Sequence, residues 1–267
     1  MQLTDFEYAG ETLSAKGCIV CNFDGVGLST VSIGSDLSFN TTRNNGSFEQ
    51  RKISHNYEDS YTSEPIQIIK YNCNTRNNEP FCEDDIREFQ KWLCRKSYEK
   101  MRPIENGAYN GTYFNGFFNV KALIFGSSVL GLELTFNTNA PYGFYDNEPI
   151  VTTLAANESI NIITTSDEIG YIYPYLKLTI LADGDLKITN QEQKSTVVKG
   201  CKKNEILTFS GANKIITSSS HSLLPQNFNY FFPRLVTTYS SDLNVLTFSL
   251  PCNLELKFDP IRKVGIL

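Results

Sequence analysis

The sequence predicts a mainly β protein of two domains: an α+β amino-terminal half with one helix and an extended hairpin, then an all-β sandwich. Three observations predict it. The 267 residues are 40% hydrophobic and 12% aromatic, a globular composition, and at roughly 100–200 residues per domain the chain is long enough for two cores. A single segment repeats its apolar residues at the helical period. In the second half, strand-sized runs recur about every 8–12 residues with turn residues between them, the spacing of a sandwich.

Taken in order, residues 5–8 read as a strand that runs into Ala9-Gly10, and residues 17–23 as one that runs into Asp24-Gly25-Val26-Gly27. Residues 36–43 and 47–57 flank Asn44-Asn45-Gly46, and Asn-Gly between β-like runs is a strong hairpin signal. This hairpin is polar along its length and buries little by itself. It either stands out in solvent or finds another chain. Arg43, Asn44, Asn45, Gly46, Glu49 and Arg51 are therefore its candidate inter-subunit residues. Residues 65–71 are a further strand. The helix is expected over about residues 83–102: Ile86, Phe89 and Leu93 form a stripe that Trp92 and Cys94 widen. Acidic Glu83, Asp84 and Asp85 open it, basic residues close it, and Pro103 stops it. Strands are expected over 108–120, 122–125 and 130–138, with turns at Asn115-Gly116 and Gly126-Ser127-Ser128.

Pro141, Gly143 and Pro149 mark a linker within 139–149, which puts the domains at 1–143 and 150–267. Beyond it, ten strand-like runs end at 254–258, and no helix is expected.

Function classes narrow by subtraction. A net charge of −5 argues against a generally basic nucleic-acid binder. The two histidines, His55 and His221, lie in polar surroundings with no Gly-x-Ser-x-Gly motif. Seven cysteines, an odd number, are not a disulfide framework. Cys18 and Cys21 have metal-pair spacing, but on a strand residues three apart point to opposite faces, so they read as small buried hydrophobes. Asp24-Gly25 and Asp183-Gly184-Asp185 read as tight turns, and Gly25-Val26-Gly27 lacks the lysine and helix of a phosphate loop. No catalytic residue, metal ligand or cofactor is expected. The start has no basic, apolar leader, and no run approaches the roughly 18–20 apolar residues that span a bilayer, so cytoplasmic folding without membrane insertion is expected. A sugar site on the second domain would have to use Tyr171, Tyr173 and Tyr175, which share one face of an extended segment, because the sole tryptophan, Trp92, lies in the first.

Three blocks of sequence, in order, resemble the distal tail proteins of tailed phages and phage-tail-like particles of Gram-positive hosts. The first is Phe6-Glu7-Tyr8-Ala9-Gly10 with Gly17-Cys18-Ile19-Val20-Cys21-Asn22-Phe23-Asp24. The second is Arg87-Glu88-Phe89-Gln90-Lys91-Trp92-Leu93, then Tyr113-Phe114-Asn115-Gly116-Phe117-Phe118, then Gly131-Leu132-Glu133-Leu134-Thr135-Phe136 through Pro141-Tyr142. The third is Ile172-Tyr173-Pro174-Tyr175-Leu176, Gly184-Asp185-Leu186-Lys187, Phe228-Asn229-Tyr230-Phe231-Phe232-Pro233-Arg234 and Cys252-Asn253-Leu254-Glu255-Leu256. The resemblance implies a ring-forming, tail-tube-like first domain and a galectin-like second domain on the outside of the ring. It implies a homo-hexameric virion ring at the tail tip and no catalysis. The implied partners are other copies of the chain, the major tail tube protein, the tail-tip hub or tail-associated protein and the tape-measure protein. DNA would pass through the lumen without specific recognition, and mild acidity would keep phosphates off the wall. The alternative is a receptor-binding tail protein that recognises a host-surface carbohydrate.

Overall fold

Short apolar runs bury themselves only by pairing side by side, and here they do so around two separate cores. The computed structural model describes residues 3–21, 37–42, 51–57, 62–63, 65–72, 74–104, 109–238 and 243–264. Over these the chain is mainly β. It divides into one unit of Met1–Phe144 with Lys263–Leu267, and another of Tyr145–Arg262.

In the first unit the strands are β1 (Phe6–Tyr8), β2 (Glu11–Thr12), β3 (Cys18–Cys21), β4 (Leu37–Thr42), β5 (Arg51–Tyr57), β6 (Ile66–Asn72) and β7 (Asn77–Glu79). Helix α1 (Glu83–Leu93) follows, then β8 (Glu99–Pro103), β9 (Thr112–Phe125), β10 (Ser128–Thr138) and β11 (Gly143–Tyr145). The main sheet runs β2-β1-β8-β9-β10-β6-β3, with β7 on β6 and β11 on β9. Period-2 alternation turns Phe6, Tyr8, Met101, Phe114, Phe118, Leu134 and Phe136 into one core, where they meet Phe89, Trp92 and Leu93 of α1. Phe6 stacks on Trp92 at 5.9 Å, and Phe118 lies 4.8 Å from Phe136. The Trp92 indole Nε1–H donates to the Tyr8 carbonyl at 2.9 Å, so the ring is packed and its polar atom is satisfied.

The helix is shorter than its charge pattern predicts. It ends at Leu93 with Cys94 as cap, and β8 occupies Glu99–Pro103. The reason is the period: after Leu93 the apolar stripe stops, whereas Met101 and Pro103 turn inward two residues apart. Asn115-Gly116 is likewise no turn. It lies inside β9, where a Cβ on Gly116 would collide with the Asn137 carbonyl and the Phe136 ring. Glycine is there for close approach, not for reversal.

The start of α1 is as expected and carries a pH-dependent contribution. The Asp85 carboxylate accepts from the Cys82 N–H at 3.0 Å and from Lys70 Nζ at 2.9 Å. Burial would raise its carboxyl, but the bonds from Lys70 and Cys82 outweigh that and hold it below the ordinary value. A depressed carboxyl stabilises fully above its unfolded pKa and loses that contribution as pH falls through the folded one. Asp85→Asn is expected to cost about 1 kcal/mol at neutral pH. Its gap from the parent protein closes in acid, and urea melts at the two pH values check this.

The second unit holds β12 (Ile150–Leu154), β13 (Glu158–Ile163), β14 (Gly170–Ile172), β15 (Tyr175–Ile180), β16 (Gly184–Asn190), β17 (Ser195–Cys201), β18 (Ile206–Ser210) and β19 (Ile215–Ser218). After them come α2 (Leu224–Asn227), β20 (Leu235–Thr237), β21 (Leu243–Phe248), β22 (Cys252–Lys257) and β23 (Ile261–Arg262). A five-stranded sheet, β12-β22-β15-β18-β19, and a four-stranded one, β13-β21-β16-β17, share a single core. Leu176, Leu178, Leu207 and Leu254 come from the first sheet, and Leu186, Ile188, Val198 and Phe248 from the second. The one-turn helix α2, with Pro225 in its first turn, is too short to show a period and was not expected from the sequence. Nor does the second unit reach the end of the chain as one run. Lys263 and Val264 belong to the first unit, because the Val264 side chain packs on that unit's core.

Candidate assembly surfaces

The hairpin strands β4 and β5 pair only with each other among the described residues, from Leu37 opposite Tyr57 to Thr42 opposite Arg51. Of the six hairpin candidates, only Arg51 lies on a described strand. Arg43, Asn44, Asn45, Gly46 and Glu49 lie outside the described residues.

A second open edge lies on the main sheet. Strands β9 and β10 pair from Gly116–Thr138 out to Phe125–Ser128. On the opposite side of β9, β8 covers only Phe114–Gly116. From Phe117 to Phe125 that edge carries no strand among the described residues. The end of the hairpin is apolar and uncovered: Ile124 is 66% exposed, Phe125 78% and Leu130 38%. A long open edge capped by large apolar side chains is the kind of surface that recruits another chain. Its only sequence signal is an apolar pair placed directly before the Gly126-Ser127 turn.

In the second unit, Tyr171, Tyr173 and Tyr175 are each exposed, Tyr171 on β14 and Tyr175 on β15, which belong to different sheets. Two cations that no spacing in the sequence places there lie on Tyr173 and Tyr171. The Lys214 ammonium sits over the Tyr173 ring and 5.6 Å from Phe232. The Arg234 guanidinium lies 3.8 Å from the Tyr171 ring centre and 5.1 Å from that of Phe231. Burial against its surroundings pushes the Lys214 ammonium down to about 8.

The remaining candidates have structural explanations. Cys18 is buried, Cys21 half-buried, and no metal-holding group of His, Cys, Asp and Glu occurs among the described residues. Burial pushes the Cys18 thiol up to about 12, which makes it unreactive. Asp183 accepts from the Lys203 N–H at 2.8 Å, whereas Asp185 is no turn residue: it lies in β16 and accepts from the Gly200 N–H of β17 at 2.8 Å. His55 lies on β5 opposite Phe39. His221 Nδ1 is 3.4 Å from the buried Glu205, while its Nε2 is 3.0 Å from the Asn227 amide. The Ser218 hydroxyl donates to Glu205, not to the imidazole, so no nucleophile is activated.

Two family models match the chain in succession. "Phage tail protein N-terminal domain" matches residues 1–140, and "Phage tail C-terminal domain" matches residues 142–258. The chain belongs to this family of phage tail proteins. Among solved structures, the tail protein is similar to SPP1 Dit (gp 19.1), whose crystal structure is described as a paradigm of the hub adsorption apparatus in Gram-positive infecting phages. The similarity has a TM-score of 0.63 at 11% identity and covers 98% of this chain and 100% of that one, a likeness of fold. No curated protein sequence matches it. The resemblance read from the ordered blocks therefore stands at the level of the family, and the tail protein is a structural component of a virion tail, not an enzyme.

Proposed function

We propose that this tail protein forms a homo-hexameric ring at the distal end of the tail, joining the tail tube to the tip hub. The first unit makes the ring, and the second is a galectin-like sandwich carried on its outside. The open edge of β9 with its apolar tip supports this reading most directly. A chain with one long unpaired edge is stable and soluble when an identical neighbour covers it, and a head-to-tail contact that closes by rotation makes a ring. The hairpin of Arg43, Asn44, Asn45, Gly46, Glu49 and Arg51 is the arm that reaches the neighbour. The tube protein, hub protein and tape-measure protein are the axial partners, and DNA passes through the lumen without sequence recognition.

The test is native mass spectrometry with negative-stain imaging of the chain alone and together with the tail tube protein. Rings are expected from the parent protein. An Ile124→Asp/Phe125→Asp double variant is expected to lose them with an unchanged melting temperature, since both side chains are exposed in the single chain. Equal ring formation by that variant, or a lone copy at a fibre tip in an intact particle, would overturn the reading. The receptor-binding alternative is disfavoured by one observation: the ring faces of Tyr171 and Tyr173 on which a sugar would stack carry Arg234 and Lys214.

A further inference from the structure

The aromatic ledge of the second unit gathers two cations, Lys214 and Arg234. Lys214 has no carboxylate partner among the described residues, although the chain as a whole is acidic. Its backbone sits at φ 54°, a conformation that a non-glycine residue seldom takes. From this turn between β18 and β19 the side chain places its ammonium on Tyr173 and near Phe232. Arg234 is half-satisfied. Its Nη2 donates to Glu192 at 2.7 Å, and the Tyr173 hydroxyl also supports its charge, but its buried Nε has no partner. Tyr173 thus links the two cations into one patch.

A backbone edge runs beside them. Among the described residues strand β14 pairs only with β20, with Tyr171 opposite Val236. Both main-chain groups of Val236 are taken by Asn244: the Val236 N–H donates to Oδ1 at 2.6 Å, and Nδ2 donates to the Val236 carbonyl at 2.9 Å. Tyr171 and Val236 are therefore a pair that exchanges no hydrogen bonds. In an antiparallel ladder the N–H and C=O of Tyr171 must then point out of the opposite edge of β14. An extended segment laid along that edge would find one donor and one acceptor at Tyr171, with two cations beside it.

We propose that this ledge docks an extended acidic segment of a partner protein, which pairs its backbone with Tyr171 on β14 and sets carboxylates against Lys214 and Arg234. Strand addition supplies register, and the charges supply selectivity. A neutral saccharide fits less well, because the cations already occupy the ring faces. The positive ring edges that remain attract carboxylates.

The probe is a fluorescein-labelled peptide alternating glutamate and valine, titrated into the full chain and followed by anisotropy. Its lysine counterpart, poly(glycerol phosphate) and a neutral oligosaccharide serve as competing arms. Saturable binding of the glutamate peptide is expected, weakening as salt rises. Lys214→Met keeps the aliphatic stem on Tyr173 and is expected to weaken binding at least about tenfold, the scale of one charge-assisted contact. Lys214→Glu is expected to reverse the preference toward the lysine peptide. Lys202→Met, which alters a lysine paired with Asp183, is expected to bind like the parent. Thermal melts verify that each variant folds. Equal affinity in Lys214→Met, absence of saturable binding, or a preference for the phosphate polymer or the oligosaccharide would overturn the proposal.

Discussion

Trp92→Ala is expected to cost the first unit about 3–5 kcal/mol, the range for deleting a large buried aromatic. Three losses combine. The indole leaves a cavity between Phe6, Tyr8 and Phe89, whose ring centres lie 5.9, 6.4 and 5.8 Å from it. The Tyr8 carbonyl loses its donor in a place that water does not reach. Helix α1 loses its widest hold on β1, the strand that joins the β2 end of the sheet to β8. In differential scanning calorimetry the first unit's transition should fall by roughly 10 °C or more. The second unit's transition should stay in place, because the two cores have no residue in common. Trp92→Phe separates the terms. It keeps a ring in the gap but removes the N–H, and the expected loss is about 1–3 kcal/mol for the orphaned carbonyl and the smaller ring. An alanine variant that melts within a degree or two of the parent would mean that α1 is not what closes this core.

The start of that helix was legible because two local signals agreed: acidic residues at 83–85 and an apolar stripe through Ile86, Phe89 and Leu93. Its end was not. Residues 95–102 are charged enough to look like a favourable last turn, and the inward alternation of Met101 and Pro103 is only two residues deep. The same limit explains Gly116. Locally, Asn-Gly argues for a turn, and only the Phe136 ring and the Asn137 carbonyl across the sheet reveal why the strand runs straight through it. The exposure of Tyr171, Tyr173 and Tyr175 is in keeping with their period-2 spacing. The cations on Tyr173 and Tyr171 have no such signal, since Lys214 reaches its ring from the turn before β19 and Arg234 from the segment before β20, where no spacing rule applies. Exposure was the least legible property of all. Ile124 and Phe125 have the composition of a core strand, yet they lie in solvent, beyond the point where β8 begins at Glu99 opposite Gly116. What sequence reading recovers is therefore what periodicity and turn chemistry encode. What it misses is decided by which strands end before their neighbours do.

Gly211 offers the corresponding test in the second unit. It follows β18 directly, where Ser210 pairs with Tyr175 at the start of β15. A Cβ built on it would collide with the carbonyl of Tyr173 and stand 2.6 Å from that of Pro174. These are backbone atoms, so no side-chain rotation relieves the clash. Either the β15–β18 pair opens at this end or the Tyr173-Pro174 segment shifts away. Gly211→Ala is accordingly expected to cost about 3 kcal/mol, at the upper end for overpacking. That cost should fall on the second unit's transition alone. Gly126→Ala is the matched control: its φ is +64°, but nothing lies within 4 Å of the added methyl, so only the backbone conformation is penalised, by about 1 kcal/mol. The two variants thus distinguish close approach from conformational freedom as the reason for a glycine. Gly211→Ala has a second readout, because a displaced Tyr173 no longer lies under Lys214. The ammonium then regains water, and its pKa should climb from about 8 toward the ordinary lysine value. Reductive 13C-methylation followed by NMR titration reads that shift directly. A variant that melts like the parent and leaves Lys214 depressed would show that the strand ends do not meet at Gly211.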